Sequence, residues 1–430
     1  MSSNKKILMI VNEFPPTAES GVQRPLKFAK YLVRAGYKVY IITPKKPTKN
    51  VLDFELIKDI PKEAIVIKTH SLGLKGKSTD RIAFIRHKIT NKQTKWKSIL
   101  WNCMKSFNDI IFPIDKQIGW VPFALWEAIK IIRHYKIRKV YITAYPFSAF
   151  LVGILLKKVF KEKIFWVADY RDAWQFEPKF DKMVSHLRKK IVIYTEKQIL
   201  NYADYFVFTT DYIYSQYIKN FPFIKNKSSV ITNGYDEDDF QKIHPKIYPK
   251  FTFLFMGKIY LFKGSPIPLF LAMKRYKEKN SDLTFNLIHI GTVPQKILKF
   301  VKENRINFYS YEGYKNHKEA LNFLSGANVL VIMVNNDDSS KCVLPGKLFE
   351  YLRIGKPILA LGPKKSMLEK YIELTNSGVF ASCEDEIEIE NAIHSLISNI
   401  KKYKPKLKLI SNYSRENLTK QLIKIYESNA

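Results

Sequence analysis

Three short segments of this chain carry the residue types that phosphate and proton chemistry require. The first is Phe251 to Ser265, FTFLFMGKIYLFKGS, where an apolar run ends at Gly257 and is followed by Lys258, Lys263 and Gly264. Two ammonium groups at the end of a buried strand could grip a diphosphate as point charges, while the glycines let the backbone approach it. In a lysine-rich chain, two solvated lysines explain the same spacing. The second segment is Asn335 to Gly355, NNDDSSKCVLPGKLFEYLRIG. Pro345 is well placed to open a helix at Gly346. The first-turn N–H groups of Gly346, Lys347 and Leu348, together with the Lys347 ammonium, then form an anion site. Glu350, one turn deeper, suits a ribose diol, although an acidic residue near a helix start is also explained by the helix dipole. The third segment is Ile164 to Trp174, IFWVADYRDAW, in which a strand runs directly into Asp169, Arg171 and Asp172. These three groups read either as an acceptor-binding and proton-handling cluster or as a structural Arg–carboxylate pair.

Other chemistries find less support. There is no Walker loop, no GxGxxG and no HExxH, and no two of the eight histidines stand at metal-ligand spacing. The acidic run Asp236-Glu237-Asp238-Asp239 could hold a divalent cation, but it follows Asn233-Gly234, where a solvated turn is the simpler reading. Three cysteines, Cys103, Cys342 and Cys383, lie far apart, which excludes a disulfide scaffold and a Cys-type zinc site. A reducing compartment is the default.

The elements that must position these residues alternate between strand and helix, the pattern of a parallel sheet covered on both faces. Apolar runs mark strands at Ile7–Val11, Val39–Thr43, Val140–Thr143, Ile164–Ala168 and Tyr205–Thr209. Helical spacing covers Gly21 to Arg34, Leu125–His134, Ala149–Phe160 and about Ser185 to Asn201. A second series of strands follows at Phe251–Met256, Phe285–Ile290, Val329–Val334 and Pro357–Leu361, each trailed by a helical pattern, and a last helix runs from about Arg415 to Glu427. The expected class is α/β, with two doubly wound Rossmann-like domains facing a cleft. Residues 1–230 are expected to form one domain, 231–250 a linker, 251–408 a second domain, and 409–430 a C-terminal helix packing back on the first. In such folds ligands bind beyond the carboxyl ends of the strands, and in all three segments the polar residues singled out follow a strand.

With 430 residues, 46% of them hydrophobic, the chain can bury more than one core, and disordered and fibrous classes are excluded. Lys plus Arg outnumber Asp plus Glu by 72 to 39, for a net charge of +33, but few of the bases are Arg, so attraction to polyanions is only weakly implied. The N-terminal apolar run is strand-length, too short for a secretion signal, and no stretch is long enough to span a bilayer. The chain is therefore expected to be soluble or to lie on a surface. Lys75 to Lys105 holds nine Lys or Arg against Asp80 alone, interleaved with Trp96, Trp101 and aliphatic residues. It reads as a segment dipping into anionic headgroups or as a solvated lysine-rich insertion.

Taken together, EFPPTAESGVQRPLKFAKYLVRAGYKVYIIT (Glu13 to Thr43), WVADYRDAW, ITNGYDEDDF (Ile231 to Phe240), GKIYLFKG and PGKLFEYLRIGKPILAL (Pro345 to Leu361) resemble, in order and spacing, the GT-B fold glycosyltransferases of family 4. Those enzymes transfer sugar with retention from nucleotide-diphosphate donors, and the chain looks most like the bacterial branch that builds capsular, exopolysaccharide or lipopolysaccharide chains. The resemblance implies a metal-independent hexosyltransferase with no cofactor, the nucleotide sugar being substrate. It implies Lys258 and Lys263 as the basic pair on the diphosphate, the first commonly Arg, and Glu350 as the glutamate on the ribose. The family's earlier glutamate falls at Cys342, which leaves donor identity open. Gly21 and Arg24 match the loop that approaches donor phosphate and acceptor. The histidine many members carry after the strand Tyr141-Ile142-Thr143 is replaced by Ala144-Tyr145-Pro146. Asp169, Arg171 and Asp172 remain as catalytic candidates. The implied partners are a nucleotide-sugar donor, a glycan or polyprenyl-diphosphate-linked acceptor and an anionic membrane surface, with no nucleic acid. The implied location is cytoplasmic, peripheral on the inner membrane face. A GT-B sugar-nucleotide epimerase and a non-enzymatic polyanion- or lipid-binding protein stay open as alternatives.

Overall fold

The computed structural model describes residues 5–18, 20–47, 52–72, 109, 112–178, 180, 184–259 and 265–429. The chain divides into two compact units, Met1–Thr232 with Thr419–Ala430, and Asn233–Leu418.

The first unit is built on a seven-stranded sheet in which every described pairing is parallel. Its strands are β1 (Lys6–Ile10), β2 (Lys38–Pro44), β3 (Ile65–Thr69), β4 (Lys139–Ala144), β5 (Phe165–Tyr170), β6 (Tyr205–Phe208) and β7 (Ser228–Val230), in the order β3-β2-β1-β4-β5-β6-β7. Helices α1 (Ser20–Arg34), α2 (Val121–Tyr135), α3 (Ala149–Phe160), α4 (His186–Tyr202) and α5 (Asp211–Asn220) connect them. The central strands are buried on both faces, β4 along its whole length, and that is why they read as unbroken apolar runs. Helix starts follow capping chemistry. The side chain of Ser185 accepts from Arg188 N at the start of α4, and Thr210 from Ile213 N at the start of α5. At Gly153 of α3 a Cβ would stand 2.3 Å from the Trp166 ring, so the helix reaches the sheet only because the residue is glycine. The direction of winding reverses between β1 and β4, so the loops leaving those two strands diverge at a topological switch point.

The second unit repeats the plan with six parallel strands: β8 (Phe251–Lys258), β9 (Phe285–Thr292), β10 (Tyr309–Tyr311), β11 (Val329–Met333), β12 (Ile358–Gly362) and β13 (Gly378–Ser382). Their order is β10-β9-β8-β11-β12-β13, so the switch point here lies between β8 and β11. The longer helices are α6 (Ile267–Lys279), α7 (Gln295–Glu303), α8 (His317–Gly326), α9 (Gly346–Ile354), α10 (Met367–Thr375), α11 (Glu386–Ser398) and α12 (Arg415–Asn429). Residues 233–250, anticipated as a linker, group with this unit: Lys246 N donates to Asn322 O at 2.9 Å and Arg353 Nε to Glu237 Oε2 at 2.8 Å. The acidic run is a turn in which Asp236 accepts from Asp238 N at 3.2 Å. From Thr419 onward α12 belongs to the first unit, where Tyr426 Oη donates to Val140 O at 2.8 Å.

The strands read from the sequence all lie within two residues of the observed ones. Four were not anticipated: β3, β7, β10 and β13. Each lies at a sheet edge or is only three residues long, and none is fully buried, so none displays a continuous apolar run. Among the described residues no helix is long and apolar enough to cross a membrane.

Candidate functional site

The second unit gathers the candidate phosphate-binding groups at its switch point. Strand β8 ends at Gly257 and Lys258, while α9 starts at Gly346 after the loop that leaves β11. Gly257 has φ +144° and its partner across the β8–β9 register, Gly291, has φ +137°. A Cβ on Gly291 would lie 2.1 Å from Gly257 O, so both positions require glycine. The Lys347 side chain reaches back from α9 to the end of β8. Its Nζ donates to Met256 O at 2.8 Å, lies 4.5 Å from the Phe255 ring centroid and would be 3.0 Å from a Cβ on Gly257. Burial lowers its pKa to about 8, and the Glu350 carboxylate pulls the other way. A cation already partly stripped of water at a strand's carboxyl end is poised for an anion.

The remaining groups arrange themselves around that ammonium. Lys258 is exposed one residue beyond Gly257. Among the described residues, a Cβ at Gly346 would meet nothing within 4 Å. Leu348 was expected among the first-turn donors, but its N–H is taken by Pro345 O at 2.9 Å and its side chain is buried. Gly346 and Lys347 are therefore the first-turn residues whose N–H groups can serve an anion. Glu350 sits in the second turn of α9, its Oε1 2.9 Å from His317 Nε2 at the start of α8. Below the β8 turn lies His289, fully buried, with Nε2 2.8 Å from Gly257 O and Nδ1 2.9 Å from Tyr309 Oη. A carbonyl only accepts, so Nε2 carries the proton and Nδ1 accepts from Tyr309. Burial lowers the His289 pKa to about 4, keeping the ring neutral. Cys342 is buried and donates its thiol to Ser339 O at 2.8 Å. Lys263 and Gly264 lie outside the described residues, as does Lys75 to Lys105.

In the first unit the structure corrects two expectations. Asp169 and Arg24 do not face a ligand; they form an enclosed ion pair, 0% and 1% exposed. Arg24 donates Nη2 to Asp169 Oδ1 at 2.7 Å and Nε to Oδ2 at 3.0 Å, and its Nη1 reaches Thr232 O at 2.7 Å. Tyr141 Oη and Thr143 Oγ1 donate to Asp169 Oδ2 at 2.5 and 2.7 Å. Burial pushes the Asp169 pKa up, but Arg24 and these hydroxyls outweigh it and leave it below the usual carboxylate range. Every donor this carboxylate receives is internal, so it has no side left for substrate. Arg171 is likewise committed. It donates Nε to Ala144 O at 2.8 Å, Nη1 to Gly21 O at 2.6 Å, and Nη2 to Glu13 Oε2 at 3.3 Å and to Tyr145 O. It thus ties together the loops that leave β1, β4 and β5. Gly21 is where this clamp comes closest, since a Cβ there would lie 2.1 Å from both Arg171 Nη1 and Glu13 Oε2. Asp172 alone of the three acidic-cluster candidates is exposed, within electrostatic reach of Arg171, Glu177 and Glu13.

Sequence reasoning did not single out Glu13, His289 or His317. Glu13 carried the signal of a carboxylate directly after a buried strand; His317, thirty-three positions before Glu350, carried none.

Residues 95–239, about a third of the chain, match the family described as Glycosyltransferase Family 4. No curated protein matches the chain by sequence. Among solved structures the chain is similar to a sucrose-phosphate synthase from Thermosynechococcus elongatus, at 14% identity and TM-score 0.64 over 98% of each chain. It is also similar to the lipopolysaccharide outer core galactosyltransferase WaaB, at 13% identity and TM-score 0.59 over 99% of this chain and 100% of that one. A Listeria monocytogenes protein provisionally described as a UDP-N-acetylglucosamine 2-epimerase shares 10% identity and TM-score 0.59, over 99% of this chain and 96% of the other. The fold is the two-domain α/β arrangement of the GT-B glycosyltransferases.

Proposed function

We propose that the chain is a glycosyltransferase that moves a hexose, with retention, from a nucleotide-diphosphate donor to a glycan or lipid-linked acceptor in cell-surface polysaccharide synthesis. The observation that carries this reading is the convergence of Lys347 with Gly257 at the β8/β11 switch point, one turn of α9 before Glu350. A cation at a helix start suits a diphosphate, and a carboxylate one turn further on suits the ribose diol attached to it. In this reading Lys347, Lys258, Lys263 and the start of α9 neutralise the leaving diphosphate, and the chemistry needs no divalent cation. The match of residues 95–239 to a glycosyltransferase family points the same way.

The test is release of nucleoside diphosphate from a panel of sugar nucleotides, with and without glycan and polyprenyl-diphosphate acceptors, in excess EDTA. Release only with acceptor, undiminished by EDTA, is expected. Acceptor-independent isomerisation of the sugar nucleotide would instead support an epimerase, the reading to which the Listeria likeness lends weight. Loss restored only by magnesium or manganese would refute metal independence.

Within the same reading Asp172 is the carboxylate left to act near the reacting carbon. Asp172→Asn is expected to lower turnover by more than roughly tenfold while nucleotide affinity is kept. Normal turnover in a variant that merely unfolds earlier would assign Asp172 to the fold.

The Lys75 to Lys105 segment would hold the enzyme on the inner face of a membrane, where a lipid-diphosphate acceptor is met. Co-sedimentation with phosphatidylglycerol vesicles should be strong at low salt, fade as salt rises, and fall when Lys88, Lys92, Lys95 and Lys97 become Gln. Equal recovery in the supernatant with neutral and anionic vesicles would sink this placement.

A further inference from the structure

The Glu350 carboxylate is held from a different helix. His317 opens α8, its turn fixed by Asn316, whose side chain accepts from Glu319 N at 2.9 Å. From there its Nε2 lies 2.9 Å from Glu350 Oε1. An ionised carboxylate only accepts, so His317 donates through Nε2–H. No hydrogen bond to Glu350 Oε2 is made among the described residues. The two side chains are 38% and 21% exposed, so as a surface pair the contact adds little to folding. Its effect falls on orientation. Glutamate is a flexible side chain, and fixing one oxygen sets the direction in which the other presents itself.

We propose that His317 is a positioning residue for Glu350 and thereby sets discrimination between ribonucleotide and deoxyribonucleotide donors. The inference rests on the donor-site reading above. His317 pre-orients the carboxylate so that a vicinal diol meets it without first restricting its rotamers. A nucleotide lacking one hydroxyl gains less from that orientation, so losing His317 weakens ribonucleotides more than 2′-deoxynucleotides. A donor at Nε2 is what the geometry requires, and glutamine supplies one at similar reach.

The experiment is calorimetric titration of the full chain with UDP, ADP and GDP and their 2′-deoxy counterparts. Wild type, His317→Ala, His317→Phe, His317→Gln, Glu350→Gln and the His317→Ala/Glu350→Gln pair are compared, with folding checked by thermal unfolding. Wild type is expected to prefer the ribonucleotide. His317→Ala and His317→Phe should cut that preference by roughly three- to tenfold, to near the Glu350→Gln value. His317→Gln should restore it, and the double variant should lose no more than Glu350→Gln alone. His317→Phe keeps bulk at the site, so it serves if the alanine variant does not fold. Wild-type preference retained in the alanine or phenylalanine variant, while Glu350→Gln loses it, overturns the role of His317 and leaves the donor site standing. A wild-type chain that binds none of these nucleotides overturns both.

Discussion

Lys347→Met is expected to weaken nucleoside-diphosphate binding by roughly 10- to 150-fold at pH 7, the equivalent of about 1.5–3 kcal/mol for a charge-assisted contact. The effect should be that large because this ammonium is held in place before the ligand arrives, by Met256 O at 2.8 Å and the Phe255 ring. Its depressed pKa adds a pH signature. In the free protein Lys347 titrates at about 8, and a bound diphosphate raises that value by favouring the charged form. A group whose pKa rises on binding contributes affinity that is present below its free pKa and lost as pH climbs through it. Between pH 7 and pH 9 the dissociation constant should therefore rise roughly tenfold. The terminal phosphate is already ionised over that range, since its own pKa is about 6. Lys347→Arg should flatten the dependence, because guanidinium does not titrate there. Titrations that remain flat in the wild type, or a methionine variant with unchanged affinity, would remove Lys347 from the site.

The second large effect is on stability. Asp169→Asn leaves Arg24 as an enclosed cation facing an amide, and breaking a buried pair in this way costs about 3–5 kcal/mol. Tyrosine and threonine hydroxyls aimed at the same carboxylate lose their charged acceptor as well. The six tryptophans all lie between Trp96 and Trp174, within the first unit, so tryptophan fluorescence during urea unfolding reports that unit alone. Its transition should move to markedly lower urea in Asp169→Asn and in Arg24→Met. The pH dependence follows from the lowered carboxylate pKa: the stabilisation is fully present above the unfolded value, near 3.8, and is lost as pH falls through the folded one. A variant with wild-type unfolding and abolished turnover would return Asp169 to the chemistry.

The contrast between Asp169 and Lys347 shows what could be seen in the sequence. Strand–helix alternation was legible because parallel strands covered on both faces need continuous apolar runs. The position of candidate chemistry was legible too, because strand ends are where such folds expose polar groups. What spacing alone could not reveal is direction. The segment Asp169-Tyr170-Arg171-Asp172 places three charges in a row, but the pleat sends Asp169 into the sheet toward Tyr141 and Thr143 on the neighbouring strand. Arg171, one residue past β5, folds back over the loops after β1 and β4. Partners far apart in sequence were invisible for the same reason. Arg24 meets Asp169 across 145 positions, and His317 meets Glu350 across 33. The turn after β8 is an intermediate case. Gly257 and Lys258 were readable as a strand-end motif, whereas the support beneath them, His289 pinned between Gly257 O and Tyr309, arises from strand register.

Photolabelling with azido-substituted UDP-glucose and ADP-glucose, followed by peptide mapping, shows where on the chain a sugar nucleotide sits. Label displaced by excess unlabelled nucleoside diphosphate is expected on peptides containing Lys258 or residues 335–350 of the second unit. Lys347→Met is expected to lose that label. Displaceable label confined to residues 1–232, or no displaceable label from either probe, would contradict the donor-site reading.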